Sequence, residues 1–282
     1  LITFFLLPLY TGVLSTHEFG IVDLLNTLVS LLLPIITFKI EEAIFREMVE
    51  NRDNKQNEKK IVSNGLCALL IQIIVFLILF IIAYQFIQND YKIFLATNVI
   101  AYAFSSVFLQ ISRGFGDNVK YSIGSFISAL FTIIFNVFFI VGLKLGAQGM
   151  LLGTLLGQIT CTFFLFLGLK IHNYLDFKLV SLNKIKDLLK YSIPLVPNAI
   201  SWWIFNASDR VIVSTFLGIA KNGILAACSK FSSAYVTVYY IFHTSWTESV
   251  MMHFKDDDFE EYFNKMFNTI IAFFASLAIG IV

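Results

Sequence analysis

Long apolar runs separated by short polar punctuation make up most of the chain. A bilayer-crossing helix needs about 20 mainly apolar residues. By that measure the runs at 21–38, 61–84, 93–111, 121–143, 149–169, 191–217 and 222–243 predict complete spans. Residues 1–13 read as the end of an earlier span, and 266–282 as the start of a later one. The runs are too long for strands and lack the apolar–polar alternation of a barrel. The expected fold class is therefore an all-α polytopic membrane protein. The chain opens at Leu1 already apolar and stops at Val282 inside an apolar run, which is the pattern of a partial chain.

Composition agrees with the pattern. Hydrophobic residues are 57% of the chain and charged residues 14%, with 31 phenylalanines. A soluble domain would be about one-quarter charged. The net charge of +1 carries little information, but the placement of the charges does. Arg46, Arg52, Lys55, Lys59 and Lys60 follow the first complete span. Arg113 and Lys120 come two loops later, and Lys170, Lys178, Lys184, Lys186 and Lys190 lie beyond 149–169. The alternate loops hold only Lys92, Lys144 and Lys221. The excess of Lys and Arg marks the cytoplasmic side. Residues 170–190 read as a basic amphipathic linker on that side. The expected organisation is a first transmembrane bundle at 1–169 with a truncated first span, the linker at 170–190, and the start of a second, truncated bundle at 191–282. A weak internal repeat supports two related halves: Leu14, Gly20 and Ile21 recur in spacing as Leu217, Gly223 and Ile224. Both copies run in the same direction at an outward hairpin, which implies a parallel repeat.

Several spans carry a polar stripe at helical spacing. The stripes are Asp23, Asn26, Ser30, Pro34 and Thr37; Asn98, Tyr102, Ser106 and Gln110; Tyr121, Ser125, Ser128, Thr132 and Asn136; and Thr154, Gln158 and Thr162. Two roles fit such stripes: hydrogen-bonded glue between packed helices, or the lining of a wet cavity. Trp202, Asn206, Arg210 and Ser214 share one face of span 191–217, while Asp209 points about 100° away from Arg210. Ionisable groups within a membrane are costly and usually face a bundle interior or a watery cavity. Arg210 lies seven residues before Leu217 and Lys230 seven after Gly223, so each sits roughly 10 Å beneath the outer end of its helix. Three readings stay open. The cations snorkel to the surface, Lys230 pairs with Asp209 across the hairpin, or both cations line a cavity that attracts an anion.

The stretches LLPLYTGVLSTHEFGIVDLLNTLVSLLLPI and EEAIFRE resemble the opening of Wzx-type polysaccharide repeat-unit flippases, members of the multidrug/oligosaccharidyl-lipid/polysaccharide exporter superfamily. YSIPLVPNAISWWIFNASDRVIVSTFLGIAKNGILAACSKFSS is similar to the start of that family's second half, and RGFGDNVKYSIGSFISALFTIIFNVFFIVGLKLGAQGMLLGTLLGQI to its middle. The resemblance implies a MATE-like two-bundle transporter fold, with the first bundle and the start of the second present. It implies alternating access and an undecaprenyl-diphosphate-linked oligosaccharide as substrate, moved across the bacterial cytoplasmic (inner) membrane for O-antigen or capsule assembly. Arg210, Lys230, Arg46 and Arg113 are the candidate cations for this polyanion. Asp23 and Asp209 are candidates for proton or sodium coupling, and Asn206, Trp202, Asn136 and Gln158 for polar cavity lining. Expected partners are the lipid-linked oligosaccharide, membrane lipids, a polysaccharide polymerase and a chain-length regulator, and not nucleic acid.

Other classes make different demands. A drug or small-cation exporter of the same superfamily would favour carboxylates and aromatics, of which Trp202 and Trp203 are present. A membrane polymerase or ligase would need an extensive outer loop, and the outward loops here are short. No catalytic residues, cofactor or metal site are expected. His17, His172, His243 and His253 are scattered. Cys67, Cys161 and Cys228 match no redox or metal spacing. The acids of DDDFEEYF at 256–263 are contiguous rather than spaced as a metal cage.

Overall fold

The computed structural model describes residues 7–52, 54–85, 90–253 and 259–281. Among these, all regular structure is helical: α1 Leu7–Val13, α2 Thr16–Thr37, α3 Ile40–Glu50, α4 Lys55–Ala83, α5 Lys92–Gly114, α6 Asn118–Val137, α7 Gly146–Gly168, α8 Leu182–Ser192, α9 Leu195–Phe216, α10 Ile219–His253 and α11 Phe259–Ile281. The chain forms two compact units. One is Val13–Gly223; the other combines Leu1–Gly12 with Ile224–Val282.

Five helices among the described residues are long and apolar enough to cross a membrane: α2, α4, α5, α6 with its continuation to Gly142, and α7. They coincide with the first five predicted spans. The predicted spans 191–217 and 222–243 are also helices, α9 and α10, but they are not among those five. The middle of α9 carries Asn206, Ser208, Asp209 and Arg210, and α10 runs on through polar residues to His253. The acidic run at 256–263 begins outside the described residues. Its described part opens α11, with Glu260 and Glu261 in the first turn.

Local chemistry sets the ends of α2. Ser15 and Glu18 form a reciprocal capping box: the Glu18 N–H donates to Ser15 Oγ at 3.2 Å, and the Ser15 N–H donates to Glu18 Oε2 at 2.9 Å. Two orphan donors of the first turn are thereby satisfied. At the other end Phe38 and Lys39 both adopt left-handed backbone, with φ of 47° and 57°. The chain turns there and restarts as α3. The apolar face of α3, Ile40, Ala43, Ile44 and Met48, is fully buried in a core shared with α4, α5, α7 and α8. The outer half of α4 does the opposite: Ile74, Ile78, Ile81 and Ile82 are exposed, as suits a lipid-facing surface. α6 ends in a π turn over Phe138–Gly142, in which the Leu143 N–H reaches the Phe138 carbonyl at 3.0 Å.

The segment between α7 and α9 is tied to the first unit. Ser63 donates its hydroxyl to the Tyr174 carbonyl at 2.9 Å and accepts from the Asp176 N–H at 2.8 Å. Fully buried Asn64 donates to the Leu179 carbonyl at 3.0 Å and accepts from the Ser181 N–H at 2.8 Å. Amphipathic α8 then buries Ile185 and Leu188, and Lys184 pairs with Glu47 of α3.

The two copies of the repeated glycine meet. A Cβ on Gly20 would overlap the Ile219 carbonyl oxygen and approach the Gly223 nitrogen to 2.9 Å; a Cβ on Gly223 would overlap the Thr16 carbonyl. Only residues without side chains allow backbones so close. Within this crossing, buried Asn222 donates to the Gly20 carbonyl at 3.1 Å.

In the second unit α10 and α11 pack through aromatic rings. Phe274 receives Tyr235, Tyr239 and Phe242 at centroid distances of 5.7, 5.4 and 5.7 Å. Edge-to-face contacts of this kind add to the area they bury.

Candidate functional site

Arg210 is the one cation in the sequence of α9, and the fold gives it two carboxylates. Its Nε lies 3.1 Å from Asp23 Oδ2 on α2, and its Nη1 lies 3.1 Å from Asp209 Oδ1. The Arg210 and Asp23 side chains are 18% and 13% exposed, whereas Asp209 is 56% exposed. Adjacent helical residues point about 100° apart, yet the guanidinium is long enough to fold back to its neighbour. Asp209 Oδ1 also accepts the Arg210 backbone N–H at 2.9 Å. The expectation that Asp209 points elsewhere is thus corrected. The structure unites three of the predicted site residues, Arg210, Asp209 and Asp23, in one ion-paired cluster.

Neighbouring side chains complete it. Asn222 Nδ2 lies 3.5 Å from Asp23 Oδ2. One turn further along α2, the Trp203 indole N–H meets the Thr27 carbonyl at 2.9 Å and Ser30 Oγ at 3.1 Å. Trp203 and Asn222 were not read as part of this cluster from the sequence. Only the packing of α2 against α9 and the start of α10 reveals them. Trp202 and Asn206, by contrast, are exposed, and the Asn206 amide donates to the Trp202 carbonyl of its own helix at 2.8 Å.

The stripes on α6 and α7 meet, and Ser105, beside the α5 stripe, joins them. Ser105 donates to Gln158 Oε1 at 2.7 Å, and Gln158 Nε2 donates to Ser128 at 3.0 Å, so Gln158 bridges two helices. Buried Asn136 fits against Gly153, where a Cβ would collide with its side-chain oxygen. Gln158 and Asn136 thus make contacts between helices.

Arg46 and Arg113 lie at the end of the unit where the basic residues gather, far along α3 and α5 from the Arg210 cluster. Arg46 pairs with Glu50 at 2.8 Å and stacks 4.4 Å from the Tyr191 ring centroid. The bond to Glu50 raises its pKa, keeping it charged. Arg113 donates to Gln110 at 3.0 Å and lies over the Phe45 ring at 4.4 Å. Lys230 is on α10 in the second unit.

The fold has relatives among solved structures. An inward-facing multidrug resistance MATE family transporter of the MOP superfamily superposes with a TM-score of 0.66 at 14% identity, covering 84% of this chain. This chain spans 59% of that transporter's length. A MATE in a bent conformation matches with a TM-score of 0.49 at 15% identity, over 86% of this chain and 72% of its own. At 14% identity the first likeness is one of fold alone: an all-α, MATE-like architecture. No curated protein sequence matches the chain significantly. A family model for polysaccharide biosynthesis proteins matches residues 1–246, which takes in the Arg210 cluster and every membrane-spanning helix described above; the chain belongs to that family.

Proposed function

We propose that this chain forms the greater part of a flippase, not an enzyme, that moves an undecaprenyl-diphosphate-linked oligosaccharide across the bacterial cytoplasmic membrane by alternating access. The observation that carries the reading is the Arg210 cluster: a mostly buried guanidinium held by two carboxylates at the seam between α2 and α9. A free cation at this depth would be costly, and a permanently neutralised one would serve no anion. A guanidinium shared between Asp23 and Asp209 is charged, oriented and exchangeable. A diphosphate offers it bidentate acceptors of the same geometry as a carboxylate. Protonation of Asp23 would release Arg210 towards the phosphates, and deprotonation would take it back. That exchange gives Asp23 a coupling role, while Asp209 keeps the guanidinium oriented. Membership in a polysaccharide biosynthesis family and the transporter fold support the class. A polysaccharide polymerase and a chain-length regulator are the proposed downstream partners.

The test is complementation of a flippase-null strain by the full-length protein and its Arg210→Gln variant, with membrane levels measured alongside surface polysaccharide. The expected result is restoration by the parent and loss of polysaccharide by the variant at equal protein level. Normal polysaccharide from a normally inserted variant would remove Arg210 from substrate handling. A second reading, export of a small organic cation, draws on the exposed Trp202 ring. It predicts dye efflux that depends on Trp202 and is indifferent to the sugar-assembly background.

A further inference from the structure

The basic end of the first unit holds a cavity that includes no residue of the Arg210 cluster. It measures about 360 Å³ and is lined by Gln56, Asn57 and Lys60 of α4 and by Lys178, Leu179, Val180 and Ser181 of the segment leading into α8. Neither lysine has an ion-pair partner among the described residues, whereas Lys39, Arg46, Lys120, Lys184 and Arg210 all do. Of the nearby acids, Glu58 is buried beside Tyr174, whose pKa is raised by burial and by that carboxylate. Asp176 accepts the Lys178 backbone N–H at 2.9 Å and does not line the cavity.

The pairing of the two lysines is built in. Ser63 and Asn64, both buried, make four hydrogen bonds to the backbone of residues 174, 176, 179 and 181. These bonds clamp the strap that carries Lys178 against the helix that carries Lys60. Two exposed lysines thus flank one cavity with amide donors beside them, an arrangement suited to an anion. The apolar part of α4 begins at Ile61, one residue beyond Lys60, so the cavity lies at the level where a bilayer's phosphates begin. We propose that this cavity binds the phosphate of an anionic phospholipid headgroup from the leaflet that the basic residues face. The site shares no residue with the Arg210 cluster and anchors the strap between α7 and α8 to the membrane surface.

The experiment uses the purified full chain in detergent, titrated in native mass spectrometry with phosphatidylglycerol, with phosphatidylcholine and, separately, with inorganic phosphate. Two double variants are compared with the parent: Lys60→Gln with Lys178→Gln, and Lys55→Gln with Lys59→Gln, which removes the same charge from α4 alone, outside the cavity. The expected result is selective retention of phosphatidylglycerol by the parent and by the second variant. The first variant should lose affinity by about 30-fold, as expected for two lysines near a membrane surface. Lys60→Arg with Lys178→Arg should retain binding, which separates charge from folding. Equal phosphatidylglycerol retention in all forms, or equal loss in both Gln variants, overturns the site. Binding of inorganic phosphate as tight as that of phosphatidylglycerol overturns the lipid assignment in favour of a soluble phosphate.

Discussion

The crossing of α2 and the first turn of α10 is so close that one methyl group should disrupt it. In Gly20→Ala the new Cβ would overlap the Ile219 carbonyl oxygen and stand 2.9 Å from the Gly223 nitrogen and 3.1 Å from the Ile219 carbonyl carbon. All three atoms are backbone, so no rotamer change relieves the clash, and the helices must separate. Separation stretches the 3.1 Å bond from Asn222 to the Gly20 carbonyl and leaves the buried amide short of a partner. Overpacking costs about 1–3 kcal/mol, and a weakened buried hydrogen bond adds about 1 kcal/mol. The alanine's better helix propensity returns about 1 kcal/mol. The net expectation is a destabilisation of about 2 kcal/mol. Gly12→Ala is the control, because a Cβ there meets nothing within 4 Å; propensity alone should leave it neutral or slightly stabilised. Thermal unfolding of the purified variants in detergent reads both. A Gly20→Ala protein as stable as the Gly12→Ala protein would refute the close crossing, and with it the reading of the glycine repeat as a packing device.

Three further outcomes follow from the same packing. Gln158→Ala removes a two-sided bridge and leaves Ser105 only the Tyr102 carbonyl of its own helix, so it should lower stability by about 1–3 kcal/mol without lowering membrane insertion, read by unfolding and by membrane fractionation. Asn64→Ala frees the Leu179 carbonyl and the Ser181 N–H, and should speed hydrogen exchange across residues 176–182 while leaving exchange in α7 unchanged. Asp117 caps α6, and its bonds to the Lys120 side chain and backbone hold its carboxyl below the ordinary carboxylate value. Its contribution is therefore present above the unfolded-state pKa and is lost as pH falls through the lower folded value. Asp117→Ala should cost about 1 kcal/mol at neutral pH and progressively less in acid, measured by unfolding across that pH range.

How much the sequence disclosed depends on what each feature is made of. The first five membrane helices were legible because an apolar run of sufficient length has few other uses. The start of α2 was misplaced by five residues: Thr16–Phe19 reads as polar loop, although Ser15 with Glu18 carries the spacing of a capping box. The turn between α2 and α3 was illegible, since Phe38 and Lys39 are not residues that announce left-handed backbone. Arg210 and Asp23 each stood out in the sequence as an ionisable group inside an apolar run. Their pairing was not readable, because residues 187 positions apart come together only through helix packing. The Trp203 indole was hidden for the same reason. Gln158 was read as cavity lining, and its two hydroxyl partners on neighbouring helices show the alternative that the stripe pattern already allowed.

The Asp23–Arg210 pair separates a structural role from a working one. Deleting one partner of a mostly buried pair leaves the other charge desolvated, which costs more than the pair itself contributes. Asp23→Asn and Arg210→Gln should each destabilise the protein, by about 1.5–3 kcal/mol for the lost charge-assisted bond. The Asp23→Asn loss should be the smaller, because Arg210 keeps Asp209 at 3.1 Å. The double variant removes both charges together and should recover part of the loss, giving a coupling energy of about 1–2 kcal/mol. If the pair were only a strut, this double variant would also recover transport in the complementation assay. If Arg210 must hand its charge from Asp23 to a phosphate, transport stays lost however stable the double variant is. Stability that returns without transport assigns the pair to the transport cycle. Return of both reduces it to packing, and the proposed exchange at Arg210 would then have to be abandoned.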